Sequence, residues 1–148
     1  MPRKAKIFVA SSSDTKSVAY AMQENLEQDA EVTVWDQNTV SLSSYTLEAL
    51  VQRVGESDFA VCVCAPSDHA VIKDDRVDVT RDNVIFELGL FVGRHGRDRC
   101  FVVQPRDVDL HLPSDIAGVM TGRYDPERSD GNLRAALGPA CNQSRQQT

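Results

Sequence analysis

Residues 59–65 read Phe-Ala-Val-Cys-Val-Cys-Ala, an apolar run with no polar interruption. A strand with one wet face would alternate apolar and polar side chains, and a run this short does not fill a core helix. It predicts a strand buried on both faces, the kind found at the centre of a parallel sheet. Parallel neighbours need crossover connections, commonly helices, so the rest of the chain must supply alternating strands and helices.

It does. Lys6–Ala10 predicts a first buried strand, and Ser11-Ser12-Ser13-Asp14 a turn and helix cap. Val18, Met22 and Leu26 then recur at helical spacing. Glu31–Trp35 predicts a second strand, followed by a polar loop over 36–43. Ser43 or Ser44 would cap a second helix whose Leu47, Leu50, Val51 and Val54 form a core-facing stripe, with Gly55 as its stop. Residues 66–79 read as a charged loop. Arg81–Arg94 predicts a third helix capped by Thr80, Arg99–Gln104 a fourth strand, Val119–Tyr124 a fifth, and Asn132–Leu137 part of a last helix. The expected fold is α/β in three layers, flavodoxin-like, with a mainly parallel five-stranded sheet and helices on both faces. Ligands in such folds sit beyond the carboxyl ends of the strands. The Ser11–Asp14 turn, the Trp35–Asp36 turn and the start of the third helix should meet there.

Composition narrows the function classes. A chain of 148 residues suits one domain with a real core. A net charge of −6 argues against a nucleic-acid grip, because basic residues cluster only at Arg3, Lys4 and Lys6. Without a targeting segment or a long apolar run, a cytoplasmic protein is expected. The four cysteines suit buried free thiols better than a disulfide framework. No spacing resembles a metal site, and the three histidines are scattered.

One residue stands against its surroundings. From Val84 to Val92 every residue is apolar or Gly except Glu87. Burying a carboxylate is costly, so such a group has either a counter-charge or a task. At 100° per residue Asn83, Glu87 and Arg94 share a stripe beside Val84, Leu88 and Phe91. Glu87 should therefore lie on the border between core and polar face. The structural alternative is an ion pair with Arg94, Arg81 or Lys73. Gly89 and Gly93, four apart, predict close packing against the helix backbone, by a neighbouring strand or by a second subunit.

The segment Arg81-Asp82-Asn83-Val84-Ile85-Phe86-Glu87-Leu88-Gly89-Leu90-Phe91-Val92-Gly93-Arg94 resembles the signature of the bacterial TIR-like nucleotide-binding family found in antiphage effectors. Weaker blocks agree. Thr46-Leu47-Glu48-Ala49-Leu50 follows a strand ending in Trp35, and Pro113–Gly118 precedes the last strand, so the resemblance covers roughly 5–125. Val40 departs from the Phe common at that place in the family. The resemblance implies that Glu87 is the catalytic residue of NAD+ cleavage. It also implies that Phe8, Ser11, Ser12, Ser13, Trp35, Asp36, Asp82 and Asn83 line the substrate site. Taken alone, the serine turn also reads as a plain cap and Trp35 as core.

A single carboxylate suits that reaction. Nicotinamide leaves NAD+ as a neutral molecule and needs no general acid, unlike the leaving oxygen of an ordinary glycoside. A negative group that holds the ribose or faces the developing oxocarbenium ion is sufficient. No cofactor is implied beyond NAD+ as substrate. The resemblance further implies self-association through TIR–TIR contacts and fusion to a sensor domain, with residues 1–138 as the TIR-like domain and 139–148 as a polar tail or linker. Two other readings remain open at this stage: a non-catalytic adaptor module, and a nucleoside-processing N-glycosidase. Serines after the first strand, in place of an acidic pair, argue against a phosphoacceptor receiver domain.

Overall fold

In a computed structural model, β1 (Ala5–Ala10) lies between β2 (Ala30–Trp35) and β3 (Phe59–Val63) and pairs in parallel with both. Residues 4–35, 46–66, 68–80, 82–116 and 118–132, with 135 and 138, are described. The sheet continues in parallel through β6 (Cys100–Pro105) to β7 (Met120–Tyr124), in the order β2-β1-β3-β6-β7. All four pairings are parallel, so the expected architecture holds with no antiparallel member in this sheet. Chain direction across the sheet reverses between β1 and β3, which makes their carboxyl ends the switch point.

The three inner strands β1, β3 and β6 bury both faces, as the uninterrupted apolar run of β3 required, whereas the edge strands β2 and β7 each keep exposed residues. Ile7, Val9, Val61, Val63, Phe101 and Val103 pack under α1 (Lys16–Leu26), with its Val18, Ala19, Met22 and Leu26. Phe8, Ala10, Ala60, Cys62, Cys64, Cys100 and Val102 face the other way, under α2 (Thr46–Glu56) and α3 (Asp82–His95). Cys62, Cys64 and Cys100 are free buried thiols, as their placement on strands suggested; Cys141 lies outside the described residues.

Three local expectations change. Residues 66–79 contain a two-stranded hairpin, β4 (Asp68–Ile72) and β5 (Asp75–Val79), paired antiparallel. Its two-residue turn, Lys73-Asp74, has φ of 50° and 69°, the backbone that matches strand twist in a tight hairpin. The charges masked this alternation. Of the expected α2 stripe, Leu50 and Val54 are buried, while Leu47 and Val51 are about half exposed, and Gly55 lies inside the helix. Gly89 and Gly93 face open space: a Cβ at either would meet nothing within 4 Å. They sit on the side of α3 opposite Val84 and Leu88, so no strand packs on them. Thr80, just before α3, is buried, and its Oγ1 accepts the Ala65 N–H at 3.2 Å, fastening the approach to α3 onto the end of β3. The capping serines 43 and 44, the loop after Trp35, most of 132–137 and all of 139–148 lie outside the described residues.

Candidate active site

Glu87 lies on α3. Three residues after Val84 and four before Phe91, its side chain falls on the buried face of α3. It is 2% exposed, deeper than the border position that the wheel suggested. Its Oε2 has no hydrogen-bond partner. Burial pushes the carboxyl up from 4.5 to about 8, with no opposing charge among the described residues to lower it. The ion-pair alternative therefore finds no support: Lys73 is exposed at the hairpin turn, and the Arg94 guanidinium lies beside Gly55 of α2. Arg81 lies outside the described residues.

Beneath Glu87 is the central row of the sheet. The register aligns Trp35, Ala10, Cys62 and Val102 across four strands. Burial first, then the thiols of Cys64 and Cys100 and the Glu87 carboxyl, push the Cys62 thiol well above its ordinary value. Burial holds Cys64 at about 12 against a hydrogen bond from Thr80 that pulls it down. These thiols stay protonated and act as small apolar packing. Glu87 is thus an acid whose charged form the surroundings penalise.

The other sequence-derived residues divide into three groups. Phe8 is fully buried, its ring 5.9 Å from Trp35 and 6.5 Å from Phe91, so it supports the floor of the site. Trp35 is 7% exposed and packs among core residues, yet its Nε1 has no acceptor. It lines a cleft of about 300 Å³ with Ala49, Gln52 and Arg53 of α2. Two strand spacings, about 10 Å, separate its strand from that of Cys62, so the indole stands to one side of Glu87.

Ser11, Ser12 and Ser13 follow β1 at the switch point. Ser12 is buried and committed: its N–H donates to Thr15 Oγ1 at 3.2 Å and its Oγ lies 3.3 Å from the same hydroxyl. This is a cap for the short 3-10 turn Ser13–Thr15 that leads into α1. Ser11 and Ser13 keep solvent contact. Asp82 and Asn83 are exposed at the start of α3, and Asp36 lies outside the described residues. The parallel sheet thus brings the serine turn, Trp35 and α3 to one side, whereas Phe8 and Ser12 are occupied within the fold.

Sequence reasoning missed His95, whose Nε2 lies 2.8 Å from the Val54 carbonyl and whose ring lies 4.6 Å from Phe91. It ties the ends of α2 and α3 together beside the aromatic floor. It also missed the hairpin and the cleft that it walls, described below.

A doubly wound parallel sheet, with a buried carboxyl over its switch edge that leaves one oxygen without a hydrogen-bond partner, has the form of a TIR-like α/β domain. Solved structures agree on the fold. A 2-deoxyribosyltransferase from Bacillus psychrosaccharolyticus superimposes with a TM-score of 0.54 at 14% identity, covering 86% of this chain and 91% of that one. A CMP N-glycosidase from Clostridium botulinum gives 0.52 at 8%, covering 88% and 96%. Residues 6–126 match the family described as CAP12/Pycsar effector protein, TIR domain, and the chain belongs to that family. It is 41% identical over 144 residues to the Pycsar effector protein PaPycTIR of Pseudomonas aeruginosa, covering 97% of this chain and 47% of that protein. It is 34% identical over 133 residues to CD-NTase-associated protein 12 of a Lachnospiraceae bacterium, covering 90% and 42%. The chain spans about half the length of the curated relatives it matches. Among the described residues, no helix is long and apolar enough to cross a membrane.

Proposed function

We propose that this domain is the NAD+-cleaving part of a bacterial antiphage effector, releasing nicotinamide and ADP-ribose or its cyclic form. The observation that carries the reading is Glu87, a buried carboxyl with an unpartnered oxygen in a helix that gains nothing structural from its charge. Keeping such a group costs stability, and function is the common reason for that cost.

The chemistry follows from the burial. Burial pushes the carboxyl up to about 8, so at neutral pH most molecules hold it protonated. NAD+ carries a pyridinium cation, and a cation near Glu87 favours the charged form. Substrate would therefore help create the anion that acts on it. As the bond between ribose and pyridinium lengthens, positive charge moves onto the ribose and the carboxylate stabilises it in a dry environment, where such an interaction is strongest. Nicotinamide leaves neutral. Water, or a nucleophile on the substrate itself, then completes the reaction at the ribose carbon.

Self-association belongs to the same proposal. The outer face of α3 carries Phe86, 54% exposed, beside open Gly89 and Gly93, and α2 adds half-exposed Leu47 and Val51. A second copy would cover this apolar surface and close the approach to Glu87. The test is nicotinamide release from NAD+ at rising protein concentration and with domains tethered on a scaffold. The expected result is a specific rate that climbs with crowding. A rate that stays flat contradicts the association step, and no release in any assembly contradicts the activity.

A further inference from the structure

A cleft of about 510 Å³ lies not at Glu87 but beside it on the same edge of the sheet. One wall is the β4–β5 hairpin, inserted after the carboxyl end of β3; the other is the segment 109–112, which follows the carboxyl end of β6. The two walls are joined by backbone: the His111 N–H donates to the Asp78 carbonyl at 2.9 Å. The second wall is held from behind. Gln104 Nε2 and Arg123 Nη1 both donate to the Val108 carbonyl, at 3.3 and 3.4 Å, and Leu110 packs on the core that contains Val84 and Leu88. A cleft fixed on both sides is preformed, and its volume suits a small molecule.

Its lining is unusual for a structural crevice. Asp109 and His111 offer polar side chains, Leu110 and Leu112 offer apolar surface, and Arg76 offers a cation. Asp78 lines it as well. The Asp109 carboxylate disfavours a free phosphate beside it. It suits a neutral diol, whose hydroxyls need acceptors, while apolar side chains suit the face of a base. Arg76 can meet a phosphate only at one side. That set of demands describes a ribonucleoside attached to a phosphate.

We propose that this cleft holds the adenosine half of the dinucleotide, with Asp109 accepting from the ribose hydroxyls, the leucines against the base and Arg76 on the adjoining phosphate. The inference rests on the NAD+ reading above. By chain path, Asp78 is at most about 13 Å from Asp82, and Asp82 about 8 Å from Glu87 along α3. An extended dinucleotide can therefore bridge the cleft and the carboxyl. Arg76 and Asp109 are exposed specificity residues, separate from the buried acid.

Calorimetric titration with adenosine, AMP and 2′,3′-dideoxyadenosine tests the cleft without catalysis. Adenosine should bind, the dideoxy compound at least tenfold more weakly. Asp109→Asn should weaken adenosine at least tenfold, and Arg76→Ala should weaken AMP while sparing adenosine. In turnover, both variants should raise KM for NAD+ at unchanged kcat and leave nicotinamide mononucleotide, which lacks the adenosine half, unaffected. Adenosine that fails to bind, or binds equally to both variants, overturns the assignment even if NAD+ is cleaved. Adenosine bound with this pattern in a protein that cleaves no NAD+ sustains the cleft and overturns the glycohydrolase reading instead.

Discussion

Replacing Glu87 with Gln should stabilise this protein, and by an amount that grows with pH. The carboxyl titrates near 4.5 when exposed and at about 8 in the folded chain. Between those values the folded state holds a proton that the unfolded state has released, so stability falls as pH rises through this window. Below pH 4.5 both states are protonated and the group costs nothing extra; above pH 8 both are ionised and the full penalty stands. At 1.36 kcal/mol per pH unit, the native state loses about 1 kcal/mol by pH 5 and about 4 kcal/mol by pH 8. Gln keeps the volume and the polar end but cannot ionise, so it escapes this loss. Urea unfolding of both proteins at pH 5 and pH 8, with matched m-values, reads the difference directly. The variant's advantage should grow by about 3 kcal/mol between the two conditions. An advantage that is equal at both pH values, or a variant less stable at pH 8, would mean that Glu87 is ionised and paired in the native fold, and the reasoning from burial would be refuted.

Three further outcomes follow from the same structure. If the ionised form of Glu87 acts, kcat/KM for NAD+ should rise about tenfold per pH unit up to about pH 8 and then level off; a flat profile from pH 6 to 8 counts against it. Trp35→Ala should cost about 3–5 kcal/mol of stability, because the indole is packed against Phe8 and buried among core residues; a thermal melt measures this, and an unchanged melting temperature would place the indole outside the core. Lys73→Asn with Asp74→Gly should stabilise the chain by about 1 kcal/mol, since both positions hold positive φ; a loss of stability would mean that the turn is not of the tight hairpin type.

The sheet was legible in the sequence because burial on both faces leaves unbroken apolar runs, and because helical stripes alternate with them. Glu87 was legible for the converse reason, as one charge in an apolar frame. Its depth was not: a wheel gives angle, and Glu87 falls at an angle where only the neighbouring helix and the row of Cys62 decide between border and core. The hairpin was hidden because Asp68, Lys73, Asp74, Asp75, Arg76 and Asp78 make the segment read as solvated, although Val71, Val77 and Val79 mark its strands. No described strand packs on Gly89 and Gly93: equal spacing shows that two residues share a face, not which face. The serine turn gave its position correctly, but its inner hydrogen bonds, which commit Ser12 to Thr15, depend on a 3-10 turn that residue types alone do not distinguish from an α-helical start.

The most direct test of the central claim is nicotinamide release from NAD+ by the assembled protein and by its Glu87→Gln variant, measured side by side under conditions where both are shown to be folded. The account predicts release by the parent and a loss of several kcal/mol of transition-state stabilisation in the variant, a fall in rate of at least about a hundredfold, together with the higher stability derived above. A variant that releases nicotinamide at the parent rate would contradict it, leaving Glu87 a buried acid without a catalytic task.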